Sequence, residues 1–226
     1  MKPRLFCPDL VIEVTRACDR ACAGCYAPNV LTRDGVAAAG VPGLFLSPEA
    51  LQAALEALPE QPHLVAVRGG EPSLHNGLEG LLKMICERAG QVILETHGRW
   101  ITGDSPRPSL KTLSHLGVTV KVSFDRMHAL SVESLRQIIA RLEENKVKYL
   151  VAVTEPTEED FDFVASSIES FVDRAQLIFQ KKATHASELV KPRIGVIDSS
   201  GKLKLSLTSK SQTFDTRNVT LRRLLI

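Results

Sequence analysis

Short apolar runs alternate with longer runs of helical period along most of the chain. Leu10–Thr15 alternates apolar and polar residues over a β-branched stretch, the pattern of a half-buried strand. Ser47-Pro48-Glu49 supplies an N-cap and a proline for the first helical turn, and Leu51, Ala54, Leu55 and Leu58 then recur at helical spacing until Pro59 stops them. His63–Val67 reads as a second strand, followed by a helix with Leu78, Leu81, Leu82 and Ile85 on one face. Gln91–Thr96 is a third strand, Ser109–Leu116 a short helix that Gly117 can cap, and Val118–Asp125 a fourth strand. That fourth strand alternates strictly, with Val118, Val120, Val122 and Phe124 on one face and Thr119, Lys121, Ser123 and Asp125 on the other. Ser131 opens a helix through Leu135, Ile138, Ile139 and Leu142, and Val147–Val153 is a fifth strand. A capping box at Thr157–Asp160 begins a fifth helix through Phe161, Val164, Ile168 and Phe171, before a sixth strand at Ala175–Gln180.

Strands that alternate with helices run parallel, with right-handed crossovers, so the fold class is α/β. No Gly-x-Gly-x-x-Gly follows the first strand, which weakens a dinucleotide-binding reading. The polar face of the fourth strand instead suits the inside of a partial (β/α)6 barrel, open-sided because six strands do not close it. Beyond the sixth strand, Arg193–Asp198 and Lys202–Leu207 flank Ser199-Ser-Gly201 and read as a short C-terminal β-hairpin extension. The expected organisation is one domain over 1–226, with a barrel core at about 8–182 and an extension at about 183–226. Residues 27–46 carry no periodicity and read as a long loop; loops of that length are often functional, and a tolerated surface insertion is the equal alternative.

Composition adds few constraints. The 226 residues are 44% hydrophobic and 24% charged, enough for one sizeable core, and a net charge of +2 does not call for a nucleic acid or an anionic membrane as partner. No signal-peptide pattern opens the chain and no segment approaches membrane-spanning length, so a cytoplasmic location is expected.

Chemistry concentrates in the cysteines. Three of the five, Cys18, Cys22 and Cys25, fall on one short loop after the first strand, and their odd total suits thiol ligands better than a disulfide framework. Three thiolates can hold three irons of a four-iron cluster and leave the fourth open. A zinc site completed by Cys7 or a histidine, a redox pair and three unrelated thiols are the other readings of the same residues. Cys86 adjoins the apolar face of its helix and reads as a small buried hydrophobe. Three more features lie at C-terminal ends of expected strands: Gly69-Gly70-Glu71-Pro72, Thr96-His97-Gly98 and Ser123-Phe124-Asp125. In a barrel those ends share one rim and converge on one site.

Cys18-x3-Cys22-x2-Cys25 with Tyr26 after it resembles the cluster motif of the radical S-adenosylmethionine enzymes, and Glu13-Val-Thr15 resembles the branch of molybdenum-cofactor biosynthesis enzymes and maturases. The resemblance covers about residues 10–155. It implies a [4Fe–4S] cluster on Cys18, Cys22 and Cys25, with S-adenosylmethionine on the open iron. It further implies that Gly69, Gly70 and Glu71 receive the amino group of S-adenosylmethionine, that Ser123 and Asp125 meet its ribose or carboxylate, and that Tyr26 and His97 stand at the same site. His97 occupies a position where that branch often has asparagine. The implied reaction is reductive cleavage to a 5′-deoxyadenosyl radical that abstracts hydrogen from a small-molecule or peptide substrate, with an external electron donor such as flavodoxin or ferredoxin. Lys121, Arg126 and His128 are candidate substrate contacts, although Lys121 can equally pair with Glu13 or Glu95, and Arg126 and His128 also read as solvated loop residues. No cysteine follows Cys86, so the auxiliary clusters of the maturases have no ligands here. A glycyl-radical-enzyme activase is the rival within the same chemistry, and a non-catalytic iron–sulfur or zinc-binding protein the rival outside it.

Overall fold

A computed structural model of the chain describes residues 8–22, 25, 30–31, 43–104, 106–125, 128–155, 164, 166–173, 176–181, 193–205 and 212–214. Within them run β1 (Leu10–Thr15), α1 (Pro48–Glu56), β2 (Leu64–Gly69), α2 (Leu78–Cys86), β3 (Gln91–Thr96), α3 (Leu110–Leu116), β4 (Thr119–Ser123), α4 (Val132–Glu144), β5 (Tyr149–Glu155), β6 (Leu177–Lys181), β7 (Gly195–Ile197), β8 (Leu203–Leu205) and β9 (Gln212–Phe214). Residues 164 and 166–168 are helical, on the stretch where the fifth helix is expected. Its capping box, Tyr26, Cys7 and Arg126 lie outside the described residues, as does the 27–46 loop apart from 30–31 and 43–46.

Local chemistry explains why the helices begin where they do. The hydroxyls of Ser47, Ser109 and Ser131 accept the backbone N–H groups of Ala50, Thr112 and Ser134, so α1, α3 and α4 each open on a serine cap. Each such cap is worth about 1 kcal/mol. The helices then bury one stripe each: Leu51, Ala54 and Leu55; Leu78, Leu81, Leu82 and Ile85; Leu110 and Leu113; and Leu135, Ile138, Ile139 and Leu142. These meet Ile12, Val67, Leu94, Val120 and Val151 from one face of the sheet in a single core.

Among the described residues the sheet has nine strands, in the order β9-β8-β7-β1-β2-β3-β4-β5-β6. From β1 to β6 every neighbouring pair is parallel, the α/β architecture of an unclosed barrel. The C-terminal hairpin is a hairpin, since β7 and β8 pair antiparallel, but it is not an appendage. β7 pairs parallel with β1, Leu10 opposite Gly195, and β9 adds a further antiparallel strand. The edge of β1 is thereby covered over Leu10–Ile12, which removes a row of open backbone groups there.

The face of the sheet turned away from the helices carries a row of charges at one register level. Glu13 is opposite Arg68 across β1 and β2, and Glu95 opposite Lys121 across β3 and β4. Arg68 Nη2 lies 3.2 Å from Glu13 Oε1 and Lys121 Nζ lies 2.6 Å from Glu95 Oε1. Lys121 therefore pairs with Glu95 rather than Glu13. The strictly alternating β4 puts its polar positions inside the barrel, as its pattern predicts.

Candidate active site

The cysteine loop leaves the C-terminal end of β1. Ala17 and Cys18 form a two-residue parallel pairing with Val30 and Leu31, so part of the stretch expected as loop returns onto the first cysteine. Leu44 and Phe45 close the other side: the Thr15 hydroxyl donates to Leu44 O at 2.9 Å, and Thr15 bridges Phe45. Cys18 is buried, Cys22 half-buried and Cys25 exposed, and the Cys25 N–H donates to Cys22 O at 3.2 Å. Burial pushes the Cys18 thiol up to about 11, against the opposing hydrogen bond from the Arg20 backbone and with help from the charges of Asp19, Glu71 and Cys22.

The end of β2 packs directly on that loop. Gly70 N–H donates to Thr15 O and Glu71 N–H to Ala17 O, both at 2.8 Å. A Cβ on Gly69 would stand 2.3 Å from Thr15 O, and one on Gly70 would stand 2.2 Å from Ala17 O and 2.9 Å from Cys18 Cβ. No side chain fits at either place. The two glycines are thus demanded by the closeness of two backbones, the role for which glycine is used at such contacts.

Glu71 is 1% exposed and is met by donors from every side. Its Oε1 accepts the Ser73 N–H at 3.1 Å and the Thr96 hydroxyl at 2.8 Å, and its Oε2 accepts the His97 N–H at 3.1 Å. Thr96 at the end of β3 is equally saturated, because its oxygen also accepts the Gly98 N–H and the Trp100 Nε1–H. Gly98 takes φ +77, which turns the chain back after His97 so that the Gly98 and Trp100 donors can reach that oxygen.

The His97 ring is buried between two carboxylates. Its Nε2 lies 3.0 Å from Asp19 Oδ1 and 3.2 Å from Glu71 Oε2. Burial opposes the imidazolium, but the Glu71 charge and the Asp19 hydrogen bond outweigh it and raise His97 above its ordinary value. The bond from His97 correspondingly lowers Asp19. Cys18, Asp19, Gly70, Glu71, Thr96 and His97 therefore form one connected assembly from three strand ends.

The end of β4 is built separately. Asp125 is buried, and its carboxylate accepts the His128 N–H at 2.9 Å and meets the ring Nδ1 at 2.8 Å. Ser123 is half-buried at the strand end. Among the described contacts, none ties Ser123 or Asp125 to the cysteine loop. Cys86 packs partly buried against the core, and burial raises its thiol. Asp19, a member of the assembly, and Trp100, which donates to its Thr96, carry no pattern in the sequence that singles them out. Only their position beside Cys18 and His97 would have drawn attention.

The residues present fit an iron–sulfur group. Each thiolate of a four-iron cluster binds a different iron, so the sulfurs need not converge on a point. Among the described residues no three His, Cys, Asp or Glu side chains converge as a single ion's shell would require. Burial, with the Asp19 and Glu71 carboxylates adding to it, keeps the Cys18 thiol protonated, and those carboxylate charges are ones that a cationic metal centre offsets.

A family model described as the Radical SAM superfamily matches residues 12–142. No curated protein sequence matches the chain. Among solved structures, "Native anSMEcpe with bound AdoMet and Cp18Cys peptide" is 16% identical with a TM-score of 0.52, over 76% of this chain and 49% of that one. SuiB of Streptococcus suis is 14% identical with a TM-score of 0.48, over 96% of this chain and 65% of that one. The chain thus spans about half the length of the first of these, and that likeness concerns the fold. With the family model covering more than half of its residues, the chain belongs to the radical SAM superfamily, enzymes that use a [4Fe–4S] cluster and S-adenosylmethionine.

Proposed function

We propose that Cys18, Cys22 and Cys25 hold the cluster, that Tyr26, Gly69, Gly70, Glu71, His97, Ser123 and Asp125 surround S-adenosylmethionine, and that the substrate is a peptide. Held by Cys18, Cys22 and Cys25, a reduced cluster would supply the electron for reductive cleavage of S-adenosylmethionine, and hence hydrogen-atom abstraction from the substrate by the 5′-deoxyadenosyl group. The chain's own residues bind, orient and exclude water. Glu71, gripped by Ser73, Thr96 and His97, holds the rim of β2 rigid. Gly69 and Gly70 let that rim lie against the cysteine loop, and the paired charges of the inner face give a polar floor to the barrel. The peptide-bound neighbour of shared fold supports a peptide over a small molecule.

The observation that carries this reading is the backbone contact of Gly70 and Glu71 with Thr15 and Ala17, which sets the two motifs side by side. Anaerobic reconstitution, reduction and addition of S-adenosylmethionine should release 5′-deoxyadenosine, and a Cys22→Ala variant should release none. A full, reduced cluster that cleaves no S-adenosylmethionine would overturn the proposal. Zinc in place of iron in the protein as isolated would favour the structural-metal reading.

A further inference from the structure

One nitrogen of His97 reaches carboxylates from two different elements. Its Nδ1 accepts the Arg99 N–H at 3.2 Å, so the neutral ring carries its proton on Nε2. That proton faces Asp19 Oδ1 at 3.0 Å and Glu71 Oε2 at 3.2 Å. Asp19 follows Cys18 directly, whereas Glu71 is fixed to the strand rim by Ser73, Thr96 and the His97 backbone. The two ends differ in freedom: the Glu71 side chain is 2% exposed and the Asp19 side chain 38%. Glu71 is an anchor, and Asp19 the part that needs holding. Both ring nitrogens are engaged by the protein, so a direct ligand contact by His97 would require one of these bonds to break. An asparagine here is too short to span both carboxylates, so the link depends on the histidine.

We propose that His97 is a positioning residue whose imidazole ties Asp19, and through it the Cys18 end of the cysteine loop, to the Glu71 rim before any cofactor arrives. The strut is a property of the metal-free chain. Its consequence for S-adenosylmethionine rests on the reading of the site above.

The test has two arms. In the metal-free protein, alkylation of Cys18 is followed by mass spectrometry in wild type, His97→Ala, Asp19→Ala, the double variant and His97→Gln, whose amide reaches about as far as Nε2. Loss of a charge-assisted hydrogen bond predicts roughly tenfold faster Cys18 alkylation in each alanine variant. The double variant should be no faster than Asp19→Ala alone, which also loses a carboxylate charge beside the thiol, and His97→Gln should return near the wild-type rate. Trp100, the only tryptophan, donates to Thr96 Oγ1, so its fluorescence reports whether the Thr96–Glu71 anchor survives each change. In the reconstituted protein, iron content should stay at the wild-type level while S-adenosylmethionine binding, read from its effect on the electron paramagnetic resonance of the reduced cluster, weakens about tenfold in both alanine variants.

Additive effects, or Cys18 reactivity unchanged by either substitution, would overturn the strut. Weaker binding in His97→Ala with normal binding in Asp19→Ala would make His97 a direct ligand contact instead. If wild type takes up no cluster, the reading of the site fails, and the alkylation arm still decides the strut.

Discussion

Lys121 Nζ lies 2.6 Å from Glu95 Oε1 on the inner face of the sheet, at the same register level as the Glu13–Arg68 pair. Neighbouring parallel strands thus compensate charge across the barrel floor, the ammonium deeply buried and its carboxylate partner 20% exposed.

Removing one member of that pair should be worse than removing both. Lys121→Met leaves Glu95 facing a largely apolar neighbour, and a cost of about 2 kcal/mol is expected after discounting for the solvent that reaches Glu95. The Lys121→Met/Glu95→Leu double variant should recover at least half of it. Urea unfolding of the four proteins in the cycle measures both quantities.

Gly70→Ala and Gly80→Ala should have opposite signs. At Gly70 a Cβ meets Ala17 O at 2.2 Å, so backbone must move, and destabilisation of about 1–3 kcal/mol is expected. At Gly80, exposed within α2, nothing lies within 4 Å of the new Cβ. Alanine there should stabilise by about 0.5–1 kcal/mol. Thermal unfolding of the two variants separates a glycine required by packing from one that is not.

The metal-free protein should lose stability on acidification through His75. Burial lowers this histidine below 6.5; its Nε2 lies 2.9 Å from Leu46 O while Nδ1 accepts the Gly77 N–H at 3.0 Å. A second ring proton would face the Gly77 N–H and lose that acceptor. Because the unfolded chain takes up the proton first, the stabilisation is complete above about 6.5 and is lost as pH falls from there through the lower folded value. His97, raised in the fold, works in the opposite sense, its contribution being lost as pH rises through its folded value. Melting temperatures between pH 8 and pH 5 should fall more steeply at the acid end in wild type than in His75→Gln.

Cysteine reactivity in the metal-free protein should rank with the geometry. Cys25 is exposed, whereas Cys18 is buried with its thiol pushed up to about 11. Little of Cys18 is thiolate at pH 8 and its sulfur is covered, so its alkylation should be slower than that of the exposed Cys25 by about tenfold or more. Time-resolved peptide mapping with iodoacetamide checks the order, and equal rates would contradict it.

Much of the architecture is legible in the order of the residues alone. Serine caps, helical stripes and short β-branched runs are local signals, and α1 to α4 and β1 to β6 lie where those signals put them, within a few residues at the ends. The grouping of the cysteines with Gly69-Gly70-Glu71 is equally readable, because both follow strands and parallel strands place such ends on one rim. The pairing of Val30–Leu31 with Ala17–Cys18 is not, for two residues give no periodicity to detect.

What the sequence determined by itself was therefore everything set by neighbours within a few positions: element type, order, fold class and the cysteine motif. Register decided the rest. Whether Lys121 meets Glu95 or Glu13, whether the C-terminal hairpin stands apart or joins β1, and whether Asp19 reaches His97 depend on how distant strands slide past one another. A shift of one residue reverses the face that every strand side chain presents. Such contacts arise only when the whole sheet packs, and so the assembly around Glu71 belongs to the tertiary structure even though each of its residues stands in plain view in the sequence.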